Sequence, residues 1–390
     1  MFTIKILNKI SDVIYQELGR EKYAVSEDAG QYDAILVRSA DMLGAELPDD
    51  LLAIARAGAG YNNIPVDRCA ERGIVVFNTP GANANAVKEL VLCGMLLSGR
   101  QVVSGVHWLE QLCAGPHDDI ETLVEKRKNQ FVGPELAGKK LGVIGLGAIG
   151  VMVANAADKG LGMQVMGYDP YLSVEAALNL TRSIIYVKTL GEIFANCDYI
   201  TLHLPLSDKT RGIIGENELA AMKPGTVLLN FARGGLVDDD ALIKALGSGH
   251  LRHYVTDFPN DRVIGAEGVI ATPHLGASTP ESEENCAQMA AAQLRSYLED
   301  GNITNSVNLP RCELPRNGGC RVAVINRNIK NMVGQMTAAL AEAGHNIEHM
   351  LNSSRGEWAY TLFDLATEPD AACIERLCAI QGVVRVRVLP

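Results

Sequence analysis

Apolar residues in the first eighty positions occur in four short runs, separated by polar and helix-forming segments. The runs are Thr3 to Leu7, Ala34 to Val37, Leu52 to Ala55 and Ile74 to Phe77. Short apolar runs that alternate with helical segments are typical of α/β proteins with a parallel sheet. The pattern therefore predicts a parallel α/β unit at the start of the chain.

A long apolar helix is predicted from Ala84 to Leu97, directly after the turn residues Thr79 to Asn83. Charged residues dominate the next segment, His117 to Asn129, where we expect an exposed insertion. A second α/β series follows, and its six predicted strands and intervening helices indicate a doubly wound sheet. These strands are Leu141 to Ile144, Gln164 to Tyr168, Tyr199 to Leu202, Thr226 to Asn230, Tyr254 to Thr256 and Val269 to Ala271.

The pattern changes again after a predicted helix from Glu281 to Leu298. The segment from Asp300 to Gly319 contains Asn, Pro and Gly without periodicity, which is typical of a linker. Beyond it the order is strand, helix, strand, strand, helix, strand, which predicts a separate ferredoxin-like βαββαβ domain. Its elements are Arg321 to Asn326, Met332 to Glu342, Ile347 to Asn352, Trp358 to Leu365, Ala371 to Ala379 and Val383 to Val388.

Composition and charge narrow the possible partners. The 390 residues are 47% hydrophobic, and 35 Lys and Arg against 46 Asp and Glu give a net charge of −11. This charge argues against a nucleic-acid or anionic-membrane partner, and no run approaches the ~18 apolar residues of a membrane span. The nine Cys include no C-x-x-C pair, and the first residues show no signal-peptide pattern. We therefore predict a cytoplasmic protein with reduced thiols and no metal site.

The sharpest local signal is the turn Gly145-Leu146-Gly147-Ala148-Ile149-Gly150, which lies between a predicted strand and a predicted helix. Such a turn lets the backbone approach a pyrophosphate at a helix N-terminus. Asp169 lies 19 residues past Gly150, where an acidic residue binds the adenine ribose hydroxyls. A packing turn beside a surface Asp is the alternative. Because the carboxylate would repel a 2′-phosphate, the motif favours NAD over NADP.

Two further motifs follow predicted strands. Arg233, in Asn230 to Gly235, can hold a substrate carboxylate through two parallel hydrogen bonds, or can instead cap the carbonyls at a helix C-terminus. His274, in Thr272 to Gly276, can exchange a proton near neutral pH when a carboxylate fixes its tautomer, or can be a buried structural histidine. Asp261 or Asp257 is the candidate carboxylate.

The chain resembles the D-2-hydroxyacid dehydrogenase family in the order of its motifs. These are the glycine-rich turn, Asp169, His203-Leu204-Pro205-Leu206, Asn230 to Asp238 and Thr272 to Thr279. The resemblance implies a flavodoxin-like substrate-binding domain formed by residues 1–92 with 276–305, and a Rossmann NAD-binding domain at 93–275. A linker at 306–319 then leads to residues 320–390, which resemble an ACT regulatory domain.

The resemblance also implies site residues. Arg233 and His274 would be catalytic, with Asp261 as the carboxylate paired to His274. The implied cofactor contacts are Gly145, Gly147, Ala148, Ile149, Gly150, Asp169, His203, Pro205, Thr210, Phe231, Ala232, Arg233, Asp257, His274 and Gly276. The implied substrate contacts are Arg38, Ser39, Arg56, Gly58, Gly60, Asn83, Arg233 and His274.

Motifs around Arg38, Arg56 and Asn83 look like those of the family members that act on a phosphorylated substrate. They imply NAD-dependent oxidation of 3-phospho-D-glycerate to 3-phosphohydroxypyruvate, the entry to L-serine biosynthesis. The alternatives are another small 2-hydroxy acid, such as glycerate or lactate, and an NAD-sensing corepressor-type binding protein.

We expect a homodimer or homotetramer, because the apolar helix from Ala84 to Leu97 is the kind of surface that a homodimer buries; burial within one subunit is the alternative. The ACT resemblance implies an L-serine effector at Asn328 and Asn346, or a domain that only dimerises.

Overall fold

The computed structural model describes residues 1–115 and 119–389. His117 and Asp118, at the start of the expected insertion, lie outside the described residues, as does Pro390. The chain divides into two compact units, the first formed by Met1–Asn83 with Pro280–Pro390 and the second by Ala84–Thr279. These boundaries differ from the expected 92 and 276, because the long apolar helix and the His274 loop each belong entirely to the second unit.

The first unit opens with a five-stranded parallel sheet in the order β2-β1-β3-β4-β5. Its elements are β1 (Phe2–Leu7), β2 (Tyr23–Ser26), β3 (Ala34–Val37), β4 (Ala53–Arg56), α1 (Val66–Glu71) and β5 (Val75–Phe77). The sequence pattern missed β2, since this edge strand buries only Tyr23 and its other residues are at least partly exposed. The four predicted strands lie within about two residues of the observed ones.

The second unit contains a seven-stranded parallel sheet in the order β12-β11-β10-β9-β6-β7-β8. It comprises α2 (Ala84–Gly99), α3 (Val102–Ala114), α4 (Ile120–Arg127), β6 (Lys140–Ile144), α5 (Ala148–Leu161), β7 (Gln164–Tyr168), α6 (Val174–Asn179), β8 (Ile185–Tyr186), α7 (Leu190–Asn196), β9 (Tyr199–Leu202), α8 (Glu216–Ala221), β10 (Thr226–Asn230), α9 (Asp239–Gly247), β11 (Leu251–Thr256) and β12 (Val269–Ala271). The six predicted strands are present, and the two-residue β8 is an added edge.

The C-terminal part of the first unit adds a four-stranded antiparallel sheet in the order β14-β15-β13-β16. Its elements are α10 (Pro280–Asp300), β13 (Cys320–Arg327), α11 (Met332–Glu342), β14 (Ile347–Arg355), β15 (Trp358–Leu365), α12 (Ala371–Ala379) and β16 (Val383–Leu389). The predicted βαββαβ order is therefore observed.

This antiparallel sheet is fused to the parallel sheet of the same unit by a shared core. Ile325 and Leu362 of the antiparallel sheet pack in one cluster with Ile4 of β1 and Leu294 of α10. The hydroxyl of Tyr360 donates to the carbonyl of Gly301 at 2.6 Å. The face of the sheet opposite α11 and α12 is therefore buried within the first unit, and a separate small domain stays a prediction.

Among the described helices, none alone is long and apolar enough to cross a membrane; α2 and α3 reach that length and composition only as a pair bent by 67°.

Candidate active site

The glycine-rich turn joins β6 to α5 in the second unit. Gly145 has φ +95°, and a Cβ there would lie 2.5 Å from the carbonyl oxygen of His203. A Cβ on Gly150 would lie 1.9 Å from the carbonyl oxygen of Gly145, whereas no atom lies within 4 Å of one built on Gly147. Two glycines are thus required by packing, and Gly147 leaves an open approach to the N-terminus of α5, at Ala148 and Ile149. This arrangement fits a dinucleotide pyrophosphate.

Asp169 lies at the carboxyl end of β7, the strand beside β6. Its Oδ2 accepts a hydrogen bond from the N–H of Leu146 at 2.9 Å, and its Oδ1 accepts from the N–H of Tyr171 at 2.8 Å. Each carboxylate oxygen has a second lone pair. The carboxylate is therefore oriented beside the glycine-rich turn and can still accept from two ribose hydroxyls.

His203 follows β9 and borders the same turn. Its Nε2 lies 3.1 Å from the hydroxyl of Thr201, and its Nδ1 is buried with no hydrogen-bond partner among the described residues. Burial lowers the pKa of His203 to about 3, so the ring is neutral at physiological pH. The next loop is tied by the Thr210 hydroxyl, which donates to the carbonyl of Pro205 at 2.6 Å.

Arg233 lies in the turn after β10, which the buried side chain of Asn230 holds. Asn230 Nδ2 donates to the carbonyl of Arg233 at 2.9 Å, and its Oδ1 accepts from the N–H of Ala232 at 3.2 Å. The exposed Arg233 guanidinium donates from Nη1 to the carbonyl of Ala232 at 2.7 Å. Its remaining N–H groups are suited to a ligand carboxylate. Phe231 and Ala232 are buried beneath the turn.

His274 lies in the exposed loop after β12, with its backbone in the left-handed region at φ +57°. The centroid of its ring lies 4.7 Å from that of Phe258. The buried carboxylate of Asp257 accepts hydrogen bonds from the N–H groups of Leu275 and Gly276, both at 2.7 Å. Asp257 therefore contacts the backbone of this loop.

The expected pair between His274 and Asp261 is not formed. Asp261 is exposed, and over residues 1–115 and 119–389 no hydrogen bond or ion pair joins it to His274. The neighbouring residues instead turn toward α9: Arg262 Nε donates to Asp240 at 2.8 Å, and Asn260 Nδ2 donates to Asp239 at 2.9 Å. This anchoring of the loop explains why Asp261 faces solvent.

The expected substrate contacts in the first unit follow its parallel strands. Arg38 and Arg56 lie at the carboxyl ends of the neighbouring strands β3 and β4. Arg38 pairs with Glu283 of α10 at 2.5 Å. The Arg56 guanidinium covers Gly58, where a Cβ would lie 2.2 Å from Nη1. The other expected contacts of this unit are Ser39, Gly60 and Asn83, of which Ser39 is exposed and Gly60 and Asn83 are half-buried.

The two expected effector residues lie at opposite ends of β15. Asn328 donates from its backbone N–H to the carbonyl of Glu357, just before β15, whereas the carbonyl of Asn346 accepts from Ala366, just after it. A single chain therefore does not bring Asn328 and Asn346 together. Asn331, directly before α11, adopts φ +64°, a backbone conformation that Asn tolerates.

The sequence comparisons identify the family. Residues 108–276 match the D-isomer specific 2-hydroxyacid dehydrogenase family, in its NAD binding domain. D-3-phosphoglycerate dehydrogenase of Methanocaldococcus jannaschii is 34% identical over 93% of this chain and 67% of the relative. The enzyme of the same name from Escherichia coli K12 is 33% identical over 87% of this chain and 82% of the relative. The chain belongs to the D-isomer specific 2-hydroxyacid dehydrogenase family. It is an NAD-dependent dehydrogenase.

A solved structure supports the cofactor of this dehydrogenase. The crystal structure of NAD⁺-bound 3-phosphoglycerate dehydrogenase from Entamoeba histolytica is 28% identical, with a TM-score of 0.61, and covers 79% of this chain and 98% of that chain. The open approach at Gly147 and the oriented carboxylate of Asp169 fit this cofactor. Within the described ranges, no group of three His, Cys, Asp or Glu side chains could hold a metal ion.

The sequence motifs did not single out three residues that shape the candidate site. Phe258 packs against His274, Thr272 donates to Asp257 at 2.6 Å, and Asn230 holds the Arg233 turn. Asn230 and Thr272 stand within the quoted motifs, at or just after strand ends. The signal that could have identified them is a polar side chain next to a buried strand. Such a side chain requires a hydrogen-bond partner, because buried polar groups are almost always hydrogen-bonded.

Proposed function

We propose that this dehydrogenase oxidises 3-phospho-D-glycerate to 3-phosphohydroxypyruvate with NAD⁺, as the first step of L-serine biosynthesis. The observation that carries the proposal is that relatives named D-3-phosphoglycerate dehydrogenase are 33% to 34% identical over 87% to 93% of the chain. The chemistry of the Arg233 turn and the His274 loop supports it.

Each of these two residues has a distinct task in the reaction. The guanidinium of Arg233 binds the substrate carboxylate through its free N–H groups and orients C2. The proton of the C2 hydroxyl passes to an imidazole nitrogen of His274 while the C2–O bond becomes a carbonyl. When bound, NAD⁺ would supply, at its nicotinamide ring, the acceptor for the hydride that leaves C2. In the reverse direction His274 returns the proton to the carbonyl oxygen.

The cofactor is held by residues of the second unit. The glycine-rich turn receives the pyrophosphate at the N-terminus of α5, and Asp169 accepts from the ribose hydroxyls. The proposed contacts also include His203, Pro205, Thr210, Phe231, Ala232 and Gly276. His203, whose pKa is lowered to about 3 by burial, offers a neutral imidazole rather than a cation.

The substrate phosphate requires local positive charge, because the chain as a whole carries −11. We assign this task to Arg38 and Arg56, with Ser39 and Asn83 as hydrogen-bonding groups and with Gly58 and Gly60 allowing close approach of the backbone. Arg38 pairs with Glu283 at 2.5 Å. A phosphate dianion therefore takes the place of Glu283 as the partner of Arg38.

The test follows NADH absorbance with purified protein. In the forward direction 3-phospho-D-glycerate should be oxidised with a higher kcat/KM than D-glycerate or D-lactate. In reverse, 3-phosphohydroxypyruvate should be reduced in preference to hydroxypyruvate and pyruvate. Preference for an unphosphorylated acid would contradict the proposed substrate. NAD binding without turnover of any of these acids would instead support a binding protein.

For the C-terminal sheet we propose an ACT-like regulatory role in a cytoplasmic homo-oligomer. The βαββαβ order supports this assignment. L-Serine is the proposed effector, bound by Asn328 of one chain and Asn346 of a second copy. We expect millimolar serine to inhibit the wild-type enzyme and not the Asn346→Ala variant. If serine neither inhibits the full chain nor binds it by calorimetry, the serine assignment is contradicted.

A further inference from the structure

The carboxylate of Asp257 contacts residues on both sides of His274 in the sequence. Asp257 is 1% exposed and directly follows β11. Its Oδ1 accepts from the Thr272 hydroxyl at 2.6 Å and from the N–H of Leu275 at 2.7 Å, and its Oδ2 accepts from the N–H of Gly276 at 2.7 Å. Charge-assisted hydrogen bonds of this kind are stronger than neutral ones. A single carboxylate therefore binds the side chain of Thr272 before His274 and the backbone of Leu275 and Gly276 after it.

The loop needs such an anchor. His274 has φ +57°, a left-handed conformation that costs free energy for a residue with a side chain and persists only where the surroundings fix it. Space at the anchor is also limited, because a Cβ on Gly276 would lie 3.0 Å from Asp257 Oδ2. Removing the carboxylate should therefore release the His274 backbone toward its ordinary conformations.

The same buried network reaches the Arg233 turn. The carbonyl of Asn230 accepts from the N–H of Asp257 and from the hydroxyl of Thr256, both at 3.2 Å. Asn230 and Thr256 are 1% and 0% exposed. Since the Asn230 side chain holds the Arg233 turn, one network sets the position of the proposed carboxylate-binding group and of the proposed proton-transfer group.

We propose that Asp257 is a positioning residue for the dehydrogenase reaction, which acts by holding the His274 loop rather than by contacting the nicotinamide or pairing with the imidazole. This inference rests on the proposed function in one respect, which is that His274 transfers the proton. It assigns Asp257 a role different from the cofactor contact expected from the sequence.

The decisive experiment is a double-mutant cycle with Asp257→Asn and His274→Ala, using whichever 2-oxo acid the wild-type enzyme reduces fastest. Asp257→Asn should lower kcat about 10- to 100-fold through misplacement of His274. NADH affinity, measured by fluorescence titration, should change less than about twofold. In the His274→Ala background Asp257→Asn should cause no further loss, because residues that act as a unit are not additive.

Two outcomes of the cycle overturn the positioning role: losses that add in the double variant, or NADH binding weakened more than about tenfold. Wild-type turnover in His274→Ala would instead contradict the proposed function. Failure of 3-phosphohydroxypyruvate as a substrate would contradict only the substrate assignment.

Thr272 provides a second test that spares the carboxylate. Thr272→Val removes the hydroxyl donor while it keeps the shape of the side chain, and it should lower kcat in the same direction as Asp257→Asn. Thr272→Ser keeps the hydroxyl and should restore most of the turnover. Equal turnover in both Thr272 variants would overturn the proposal.

Asp198→Asn is the matched control. Asp198 also accepts a backbone N–H, from Lys140 at 2.9 Å, but at the amino ends of β6 and β9, away from the loops after β10 and β12. The Asp198→Asn variant should have a lower free energy of unfolding and an unchanged kcat. A loss of kcat equal to that of Asp257→Asn would indicate general structural damage and overturn the proposal.

Discussion

The Oδ2 of Asp169 accepts a hydrogen bond from the backbone N–H of Leu146 at 2.9 Å, which joins the acidic residue after β7 to the glycine-rich turn after β6. The bond places a negative charge beside the turn that we propose as the binding site of the cofactor pyrophosphate. A 2′-phosphate would meet this charge directly, whereas a 2′-hydroxyl can donate to it.

The first prediction concerns cofactor preference. The wild-type enzyme should use NADH with a kcat/KM at least about tenfold above that for NADPH, and Asp169→Ser should reduce this ratio because the repulsive charge is removed. Asp158→Asn is the control and should leave the ratio unchanged, since this carboxylate accepts from the Ser183 hydroxyl at 2.7 Å elsewhere in the same unit. Equal use of both cofactors by the wild-type enzyme would contradict the assignment.

A second prediction follows from the buried imidazole of His203. Burial lowers its pKa from 6.5 to about 3, so the unfolded chain binds a proton between these values and the folded chain does not. The contribution of His203 to stability is therefore full above pH 6.5 and falls as the pH drops below it, by roughly 1 kcal/mol per pH unit.

Urea unfolding at pH 7.5 and at pH 5.5 measures this effect, with His203→Asn as the comparison. The free energy of unfolding of the wild type should fall more steeply toward acid than that of the variant. His253, whose pKa is also lowered by burial, remains in both proteins and cancels in the comparison. Parallel losses in the two proteins would show that His203 is not the group responsible.

The third prediction concerns the fusion of the two sheets in the first unit. The buried guanidinium of Arg321 pairs with Asp364 at 2.6 and 2.9 Å, and it also donates to the carbonyls of Asp300 and Leu314, both at 2.9 Å. Arg321→Met leaves the Asp364 carboxylate buried without its partner and should cost about 3–5 kcal/mol of unfolding free energy.

Arg321→Met/Asp364→Leu should recover part of this loss, because the uncompensated charge is removed. The control is the exposed pair of Arg311 with Glu313. Arg311→Met should lower the free energy of unfolding by less than about 1 kcal/mol. Urea unfolding of all three variants decides the matter. If Arg321→Met unfolds at the wild-type midpoint, the pair does not anchor the C-terminal sheet.

A fourth prediction concerns Asp261, which is exposed and not bonded to His274. Asp261→Asn should change kcat less than about twofold and leave the pH profile in place, as expected for a surface substitution away from the reacting groups. A marked shift of the pH profile would show that this carboxylate reaches the imidazole during turnover.

Most of the fold follows from local pattern. The strands before Gly145 and Arg233 are almost wholly buried because both faces of the sheet are covered, and their apolar runs are visible in the sequence. Strand β2 and the two-residue β8 were missed since edge strands bury few residues. The packing of the four-stranded antiparallel sheet against the five-stranded parallel sheet depends on residues that are far apart in the sequence, such as Tyr360 and Gly301. No local sequence pattern encodes such contacts.

The positions of the candidate groups follow from the motifs, whereas their roles stay predictions. Gly145, Asp169, Arg233 and His274 each follow a predicted strand, and they lie after β6, β7, β10 and β12. The partner of His274 was not predictable, because a carboxylate in a loop can bind a ring, a backbone or solvent. The choice between Asp257 and Asp261 depends on the fold of residues 257–262, where Asn260 and Arg262 bind α9.

The most direct test of the account is the turnover of His274→Ala. With the preferred 2-oxo acid and NADH, kcat should fall by ~10²–10⁴ because the proton-transfer group is lost, while NADH affinity remains close to that of the wild type. Turnover at the wild-type rate, with the variant folded and NADH bound, would contradict the claim that His274 transfers the proton in this dehydrogenase.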